Sequence, residues 1–228
     1  MREIHFYFDV ISPYAWLAFC SLPKTLEGIA HRVHYHPVVF GAMLKHHGQL
    51  GPAELAGKRD WTYRQVMWLA RQQGTQLQMP ASHPFNSLTL LRLAVATSPT
   101  GEPSREVVAM LFKHVWCSGL EATDETRLET LKQELTQWVQ ASRPGFQLDI
   151  QSPEVKQLLQ QQTQAAIDSG LFGVPSMVVD GQVFWGQDAL PMLRAYLEGD
   201  AWFESSDWCD AGKLPVGVRR SQALTHKA

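Results

Sequence analysis

Polar and apolar residues interleave over residues 3–8 (EIHFYF), a short β-rich run that predicts a first strand. Asp9 to Pro13 breaks the pattern. Ser12 followed by Pro13 is a helix start, with a hydroxyl at the N-cap and a proline at the first helical position, where a missing N–H is harmless. The helix is expected to run to about Glu27, with Gly28 as its C-cap. Residues 32–39 (RVHYHPVV) alternate again and predict a second strand. The first forty residues are thus β-α-β, which implies a parallel pair joined by a crossover helix.

Residues 41–57 are rich in glycine and proline and are expected to form a loop. Helical patterns follow. In 60–73, Tyr63, Val66, Met67 and Ala70 share a face, while 86–96 is apolar nearly all round and so predicts a buried helix. In 104–117 the stripe is Val108, Leu111, Phe112 and Val115; in 124–140 it is Leu128, Leu131, Leu135, Trp138 and Val139. Ser152-Pro153 repeats the Ser-Pro start and opens a helix to about Ser169, closed by Gly170.

The pattern then returns to β. Residues 175–179 form a short strand, Asp180-Gly181 is a hairpin turn signal, and residues 182–185 lead back. Gly186-Gln187-Asp188 opens a last helix along which Leu190, Leu193, Tyr196 and Leu197 align. The order is β-α-β, helices, β-β-α, an α/β chain with an all-helical insertion. In the tail, Trp202, Phe203 and Trp208 are expected to dock on something, and residues 219–228 to fray.

Composition narrows the function classes. The 228 residues are 45% hydrophobic and 18% charged, which supports a packed core, and the formal net charge of −2 gives no global pull toward nucleic acid. No apolar run reaches the ~18–20 residues of a membrane span. The N-terminus MREIHFYFD lacks the basic and apolar regions of a cleaved signal. Cys20, Cys117 and Cys209 are widely spaced and form no C-x-x-C. That argues against a disulfide scaffold or a zinc knuckle and fits a reducing cytoplasm.

A few positions could carry chemistry. Ser12 stands where a strand ends and a helix begins, and the unpaired N–H groups and dipole of a helix start favour an anion. A thiolate there has a lowered pKa, and a serine hydroxyl adds a charge-assisted hydrogen bond; the alternative is that Ser12 only caps. Val174-Pro175 is either a trans strand start or a cis bond that turns the Val174 N–H and C=O toward a peptide-like ligand. Asp188 either caps its helix or meets a ligand ammonium group. Lys45, His46, His47, Gln49, Lys58 and Arg59 form either a solvated loop or a carboxylate-binding one. His31, His34 and His36 suggest a metal, but no carboxylate or cysteine in the sequence pattern completes a set, and no metal is expected.

Taken together, several motifs carry a resemblance. Phe8-Asp9-Val10-Ile11-Ser12-Pro13-Tyr14-Ala15-Trp16-Leu17 resembles the start of the 2-hydroxychromene-2-carboxylate isomerases and the related kappa-class glutathione transferases. Gly173-Val174-Pro175-Ser176 resembles their cis-proline motif, and Phe184-Trp185-Gly186-Gln187-Asp188-Ala189-Leu190 their glutathione-anchoring turn. Lys58-Arg59, Thr62-Tyr63-Arg64 and His83-Pro84-Phe85-Asn86 look like the isomerase branch. The similarity is collinear over residues 3 to 200.

The resemblance implies a thioredoxin-like domain made of residues 1–40 and 172–200, a helical insertion over 41–171, and a tail over 201–228. Disulfide-exchanging relatives carry C-P-Y-C or a similar motif where this chain has Ser12-Pro13-Tyr14-Ala15. Exchange needs an attacking thiolate, so the sulfur must come from outside, and the family implies glutathione. Ser12 would hydrogen-bond its sulfur, Val174 beside Pro175 would pair with its cysteinyl unit, and the turn Trp185-Gly186-Gln187-Asp188 would anchor its γ-glutamyl end, with Asp188 facing the ammonium. Lys58 would meet a carboxylate of glutathione or substrate, and Lys45 the substrate carboxylate, with Arg59 and Asn86 as further pocket residues. Kappa-class relatives have an asparagine near Gln49, whose side chain is one carbon longer. The implied reaction interconverts 2-hydroxychromene-2-carboxylate and trans-o-hydroxybenzylidenepyruvate by reversible thiolate addition to a conjugated C=C. The implied setting is a cytoplasmic homodimer in aromatic-compound catabolism. The competing readings are a kappa-like transferase or peroxidase for another electrophile, and a non-catalytic glutathione-binding module.

Overall fold

The structure, a computed structural model, describes residues 1–218; the expectation for residues 219–228 lies outside them. Strand β1 (Arg2–Phe8) leads into helix α1 (Pro13–Thr25) and returns as β2 (His31–Pro37). β1 and β2 pair in parallel, as the crossover helix requires. After six helices the chain re-enters the sheet as β3 (Ser176–Val179) and β4 (Gln182–Trp185), both antiparallel to their neighbours. The four-stranded order is β2-β1-β3-β4, so β1 is central and joins the two halves of the chain. Together with helix α8 (Leu190–Leu197), this is a thioredoxin-like α/β fold with a helical insertion.

The insertion comprises α2 (Phe40–His46), α3 (Ala56–Gln73), α4 (Leu88–Ala96), α5 (Arg105–Trp116), α6 (Glu125–Gln140) and α7 (Pro153–Asp168). The period-2 pattern of β1 sends Ile4, Phe6 and Phe8 into the main core, beside Leu17 and Leu22 of α1 and Leu111 and Phe112 of α5. On the opposite face, Tyr7 and Val178 pack against a smaller cluster built from Val38, Met43, Ala166, Ile167, Leu171 and Val174.

Several expectations need correction. The Gly/Pro-rich stretch after β2 is not simply a loop. It contains α2, held because Met43 is fully buried and because the Phe40 N–H donates to the Asp9 carboxylate, and a short 3-10 turn, Pro52–Glu54. α3 begins four residues earlier than expected, and Met67 faces solvent rather than the core, as does Trp138 of α6. α1 ends at Thr25 with Leu26 as its C-cap, where Glu27 and Gly28 were expected. The tail does dock: Phe203 sits 5.2 Å from the Tyr196 ring and 6.2 Å from that of Phe184, and Trp208 of a last short helix α9 (Ser206–Ala211) meets Phe203 edge-on at 5.1 Å.

α1 also contains Pro23, which withdraws the N–H that would reach the Phe19 carbonyl. Arg105 replaces it. Its Nη2 donates to Phe19 O at 3.3 Å, its Nη1 to the Tyr35 hydroxyl at 2.8 Å, and its guanidinium carbon lies 4.2 Å above the Phe19 ring.

Candidate functional site

The segment Asp9–Ser12 joins β1 to α1, and its polar groups are fixed both by bonds within it and by side chains from distant elements. The indole N–H of Trp116 donates to Val10 O at 2.9 Å. His83 Nε2 lies 2.8 Å from Ile11 O; since a carbonyl only accepts, Nε2 is the donor, and on the other side the Tyr63 hydroxyl lies 2.8 Å from Nδ1 and donates to the His83 carbonyl oxygen at 2.9 Å. Burial holds the His83 pKa below its ordinary value, opposed by the bond to Ile11. The Asp9 carboxylate is 1% exposed and accepts from Ile11 N, Phe40 N and Ser87 Oγ. Burial pushes its pKa up to about 6 against those three bonds. None of these three anchors was assigned a role from sequence. A charged residue between Phe8 and Val10, at the end of an apolar strand, was the one available signal.

Ser12 emerges from this clamp as the N-cap of α1. Its Oγ accepts the Ala15 N–H at 3.2 Å, and its hydroxyl points at Val174 O, 3.4 Å away, a long and weak bond that leaves the donor available. The N–H groups of Tyr14 and Val174 have no partner among the described residues. The Val174-Pro175 bond is cis. The sequence-predicted pair Ser12 and Val174 is therefore brought together, with two free N–H groups beside it.

The turn after β4 closes on the same place. Gly186 N–H donates to Pro175 O at 2.9 Å, and its φ of +96° is a backbone state that suits glycine. The Asp188 carboxylate folds back over Gly186 and leaves no room for a Cβ there. Trp185 is half exposed, edge-on to Phe172 at 4.9 Å, and a Cβ at Gly173 would meet its Nε1 at 2.5 Å, so glycine is needed at 173 for the indole to lie down. Tyr14 links the two sides. Its hydroxyl donates to Gln65 of α3 at 2.6 Å, and its pKa is raised by burial, with a smaller contribution from the charge of Asp188.

α3 carries Lys58 and Arg59 in its first turn, with no side-chain cap and no acidic residue there. Cations at a helix N-terminus oppose the dipole, so the arrangement does nothing for helix stability and is suited to an anionic ligand. Lys45 is exposed in the last turn of α2, whose end is tied by His47 Nε2 to Leu171 O at 3.3 Å, close before Val174. Gln49 is exposed and makes no side-chain hydrogen bond among the described residues. Asn86 is exposed as well, and its Oδ1 accepts the Leu88 N–H at 3.0 Å, which caps α4.

Other reactive groups stand apart. Burial pushes the Cys20 thiol up to about 12 and raises that of Cys117, which leaves both poor nucleophiles. His34, expected to lack a carboxylate, has two: Glu3 at 2.6 Å and Glu102 at 2.7 Å. Among the described residues, no group of three metal-ligating side chains could hold an ion, and no helix is long and apolar enough to cross a membrane.

Comparison with known proteins adds four findings. Residues 3–198 match the DSBA-like thioredoxin domains. A 2-hydroxychromene-2-carboxylate isomerase of Pseudomonas putida is 28% identical over 194 residues, which span 84% of this chain and 92% of that protein. Glutathione S-transferase kappa 1 of Rattus norvegicus is 25% identical over 215 residues, spanning 88% and 92%. A solved selenomethionine 2-hydroxychromene-2-carboxylate isomerase superposes with a TM-score of 0.70 at 24% identity, over 90% of this chain and 98% of that one, a likeness of fold.

Proposed function

The chain belongs to the DSBA-like thioredoxin family, and we propose that within it the protein is a glutathione-dependent isomerase interconverting 2-hydroxychromene-2-carboxylate and trans-o-hydroxybenzylidenepyruvate. The observation that carries the reading is the Ser12 hydroxyl at the start of α1, 3.4 Å from Val174 O, with serine and alanine at positions 12 and 15 where thiol relatives hold sulfur. The pocket keeps the groups that stabilise a thiolate and lacks the thiol itself.

The residues present fit glutathione. Free N–H groups on Tyr14 and Val174, an exposed carboxylate on Asp188 and cations on Lys58 and Arg59 match a peptide with a sulfur, an ammonium end and two carboxylates. Glutathione bound there supplies a nucleophilic thiolate that adds reversibly to the conjugated C=C and so frees rotation about it. Ser12 donates its hydroxyl proton to the sulfur and, with the α1 dipole, favours the anion. Val174 offers its backbone N–H and C=O to the cysteinyl unit. Asp188 accepts from the γ-glutamyl ammonium, and Trp185, laid against Gly173, walls that end of the cleft. Lys45 and Lys58 neutralise carboxylates, Lys45 that of the substrate, with Arg59 beside Lys58. Neither Gln49 nor Asn86 has a geometry that adds to this. The same reading takes the protein as a cytoplasmic homodimer in aromatic-compound catabolism. The isomerase relatives support the reaction, and the kappa glutathione transferase relatives support the glutathione chemistry.

The test is the absorbance change of authentic 2-hydroxychromene-2-carboxylate with and without glutathione. Turnover that requires glutathione is expected. No turnover, or chlorodinitrobenzene conjugation exceeding isomerisation, overturns the reading.

A further inference from the structure

Asp9 touches three separate elements at once. Its Oδ1 accepts the Ile11 N–H at 3.1 Å, one residue before Ser12, and its backbone carbonyl accepts the Ser12 N–H at 3.0 Å. Its Oδ2 accepts the N–H of Phe40, the first residue of α2, at 3.0 Å. The same oxygen accepts the hydroxyl of Ser87, the residue that precedes α4, at 3.1 Å. Neither helix start is capped by the side chain of its own N-cap residue, and Asn86 Oδ1 takes the Leu88 N–H of α4. Val39, the N-cap of α2, has no side-chain cap to offer, and Ser87 turns its hydroxyl to Asp9 instead of to α4. A fully buried carboxylate with only neutral donors around it is a costly way to stabilise a fold, and that cost shows in its pKa of about 6. Burying an acid to this extent makes sense where geometry must be held.

We propose that Asp9 is a positioning residue that sets the Ser12 hydroxyl and the Lys45-bearing helix α2 in register, so that the two ends of the reacting complex, thiolate and substrate carboxylate, are held by one carboxylate. The inference rests on the glutathione reading of the site. The Ile11 bond fixes the peptide that feeds Ser12, and the Phe40 bond fixes the start of a helix only seven residues long, at whose far end Lys45 stands. The two oxygens serve the two ends separately, so the two functions can be cut separately.

Asp9→Asn replaces one acceptor oxygen by a donor and sets it against a backbone N–H. It is expected to raise the thiol pKa of bound glutathione, read by thiolate absorbance, by at least half a unit, and to raise KM for 2-hydroxychromene-2-carboxylate about tenfold. Phe40→Pro removes the α2 bond and also the phenyl ring packed against the Val38 and Met43 cluster, so it is read against Phe40→Ala, which loses the ring and keeps the bond. Proline is tolerated at the first position of a helix, and Val39, with φ −85° and ψ 99°, is already in the extended state that precedes proline. This variant is expected to raise KM while the thiol pKa stays at the wild-type value. It also keeps the test alive should Asp9→Asn fail to fold. Asp9→Asn folding with the thiol pKa within about 0.3 unit and KM within about twofold of wild type overturns the inference alone, as does Phe40→Pro leaving KM at the Phe40→Ala value. Absence of glutathione binding to the wild-type protein by calorimetry overturns the functional reading and this inference with it.

Discussion

The Ser12 hydroxyl lies 3.4 Å from the carbonyl oxygen of Val174, a residue 162 positions later in the chain. At that length the bond is weak, so the proton can turn to a sulfur at little cost. Ser12→Ala is expected to lower turnover about 10- to 100-fold, the worth of one hydrogen bond to a charged group, and to raise the thiol pKa of bound glutathione. It also removes the cap on Ala15 N–H, which lowers stability by about 1 kcal/mol. Turnover and a thiolate absorbance titration check the first two effects and thermal unfolding the third. An unchanged rate and titration would remove Ser12 from the mechanism.

Lys58 offers a test in which stability and affinity move in opposite directions. Glutamate at this first-turn position complements the α3 dipole, which now has no acidic partner. Lys58→Glu is expected to stabilise the fold by about 0.3–1 kcal/mol and to weaken glutathione binding at least tenfold. Calorimetry beside a melting curve reads both. A variant that loses stability, or binds as before, contradicts the assignment of Lys58 to a ligand carboxylate.

Gly173 tests the wall of the cleft. The Cβ of Gly173→Ala would fall 2.5 Å from Trp185 Nε1, and the half-exposed indole must swing off Phe172 to make room. The expected result is about tenfold weaker glutathione binding with folding retained, since the displaced ring moves into solvent rather than into the core. Binding equal to wild type would show that Trp185 has no part in holding the peptide.

These residues were legible in the sequence because each belongs to a compact local motif: Ser12 in a Ser-Pro helix start, Val174 before its proline, Gly186 and Asp188 in one turn. The β-α-β opening was legible for the same reason. α2 was not, since what holds it is the burial of Met43 against α7 and a bond from Phe40 to Asp9 across 31 positions. Met67 and Trp138 carry helical spacing yet face solvent, because α3 and α6 each bury only a narrow stripe. His83 and Trp116 act on the backbone carbonyls of Ile11 and Val10 from 72 and 106 positions away, and side chain to main-chain contacts of that span leave no spacing to read.

Asp9 predicts a pH dependence. Its pKa rises from 3.8 to about 6 on folding, through burial. A raised folded pKa means that the native state binds the proton more tightly, so this stabilisation is complete below about pH 3.8 and is lost as pH rises through about 6. The loss is of order 3 kcal/mol at 1.36 kcal/mol per unit. Asp9→Asn does not titrate. Its stability relative to wild type is therefore expected to shift in its favour by up to that amount between pH 4 and pH 7, whatever its offset. Taking the difference cancels the histidines, which titrate in both proteins. Parallel denaturant midpoints at the two pH values would show that Asp9 is not shifted.

Arg105 and Pro23 form a pair that only a mutant cycle can separate. Pro23 leaves the buried Phe19 carbonyl without its helical donor, and Arg105 supplies one while stacking 4.2 Å above the ring and holding the Tyr35 hydroxyl. Arg105→Ala is expected to cost about 2–4 kcal/mol, the sum of an orphaned carbonyl, a lost partner for Tyr35 and the cation–π contact. Pro23→Ala returns an N–H to position 23, which Phe19 O can accept. In the wild-type background that donor competes with Arg105; in the Arg105→Ala background it fills a vacancy. The substitution should therefore stabilise the second background more than the first, by about 0.5–1.5 kcal/mol of coupling. Urea unfolding of the four proteins measures it. Strict additivity would mean that Arg105 stabilises α1 through the ring and the tyrosine alone, and that the Phe19 carbonyl finds water when the arginine is gone.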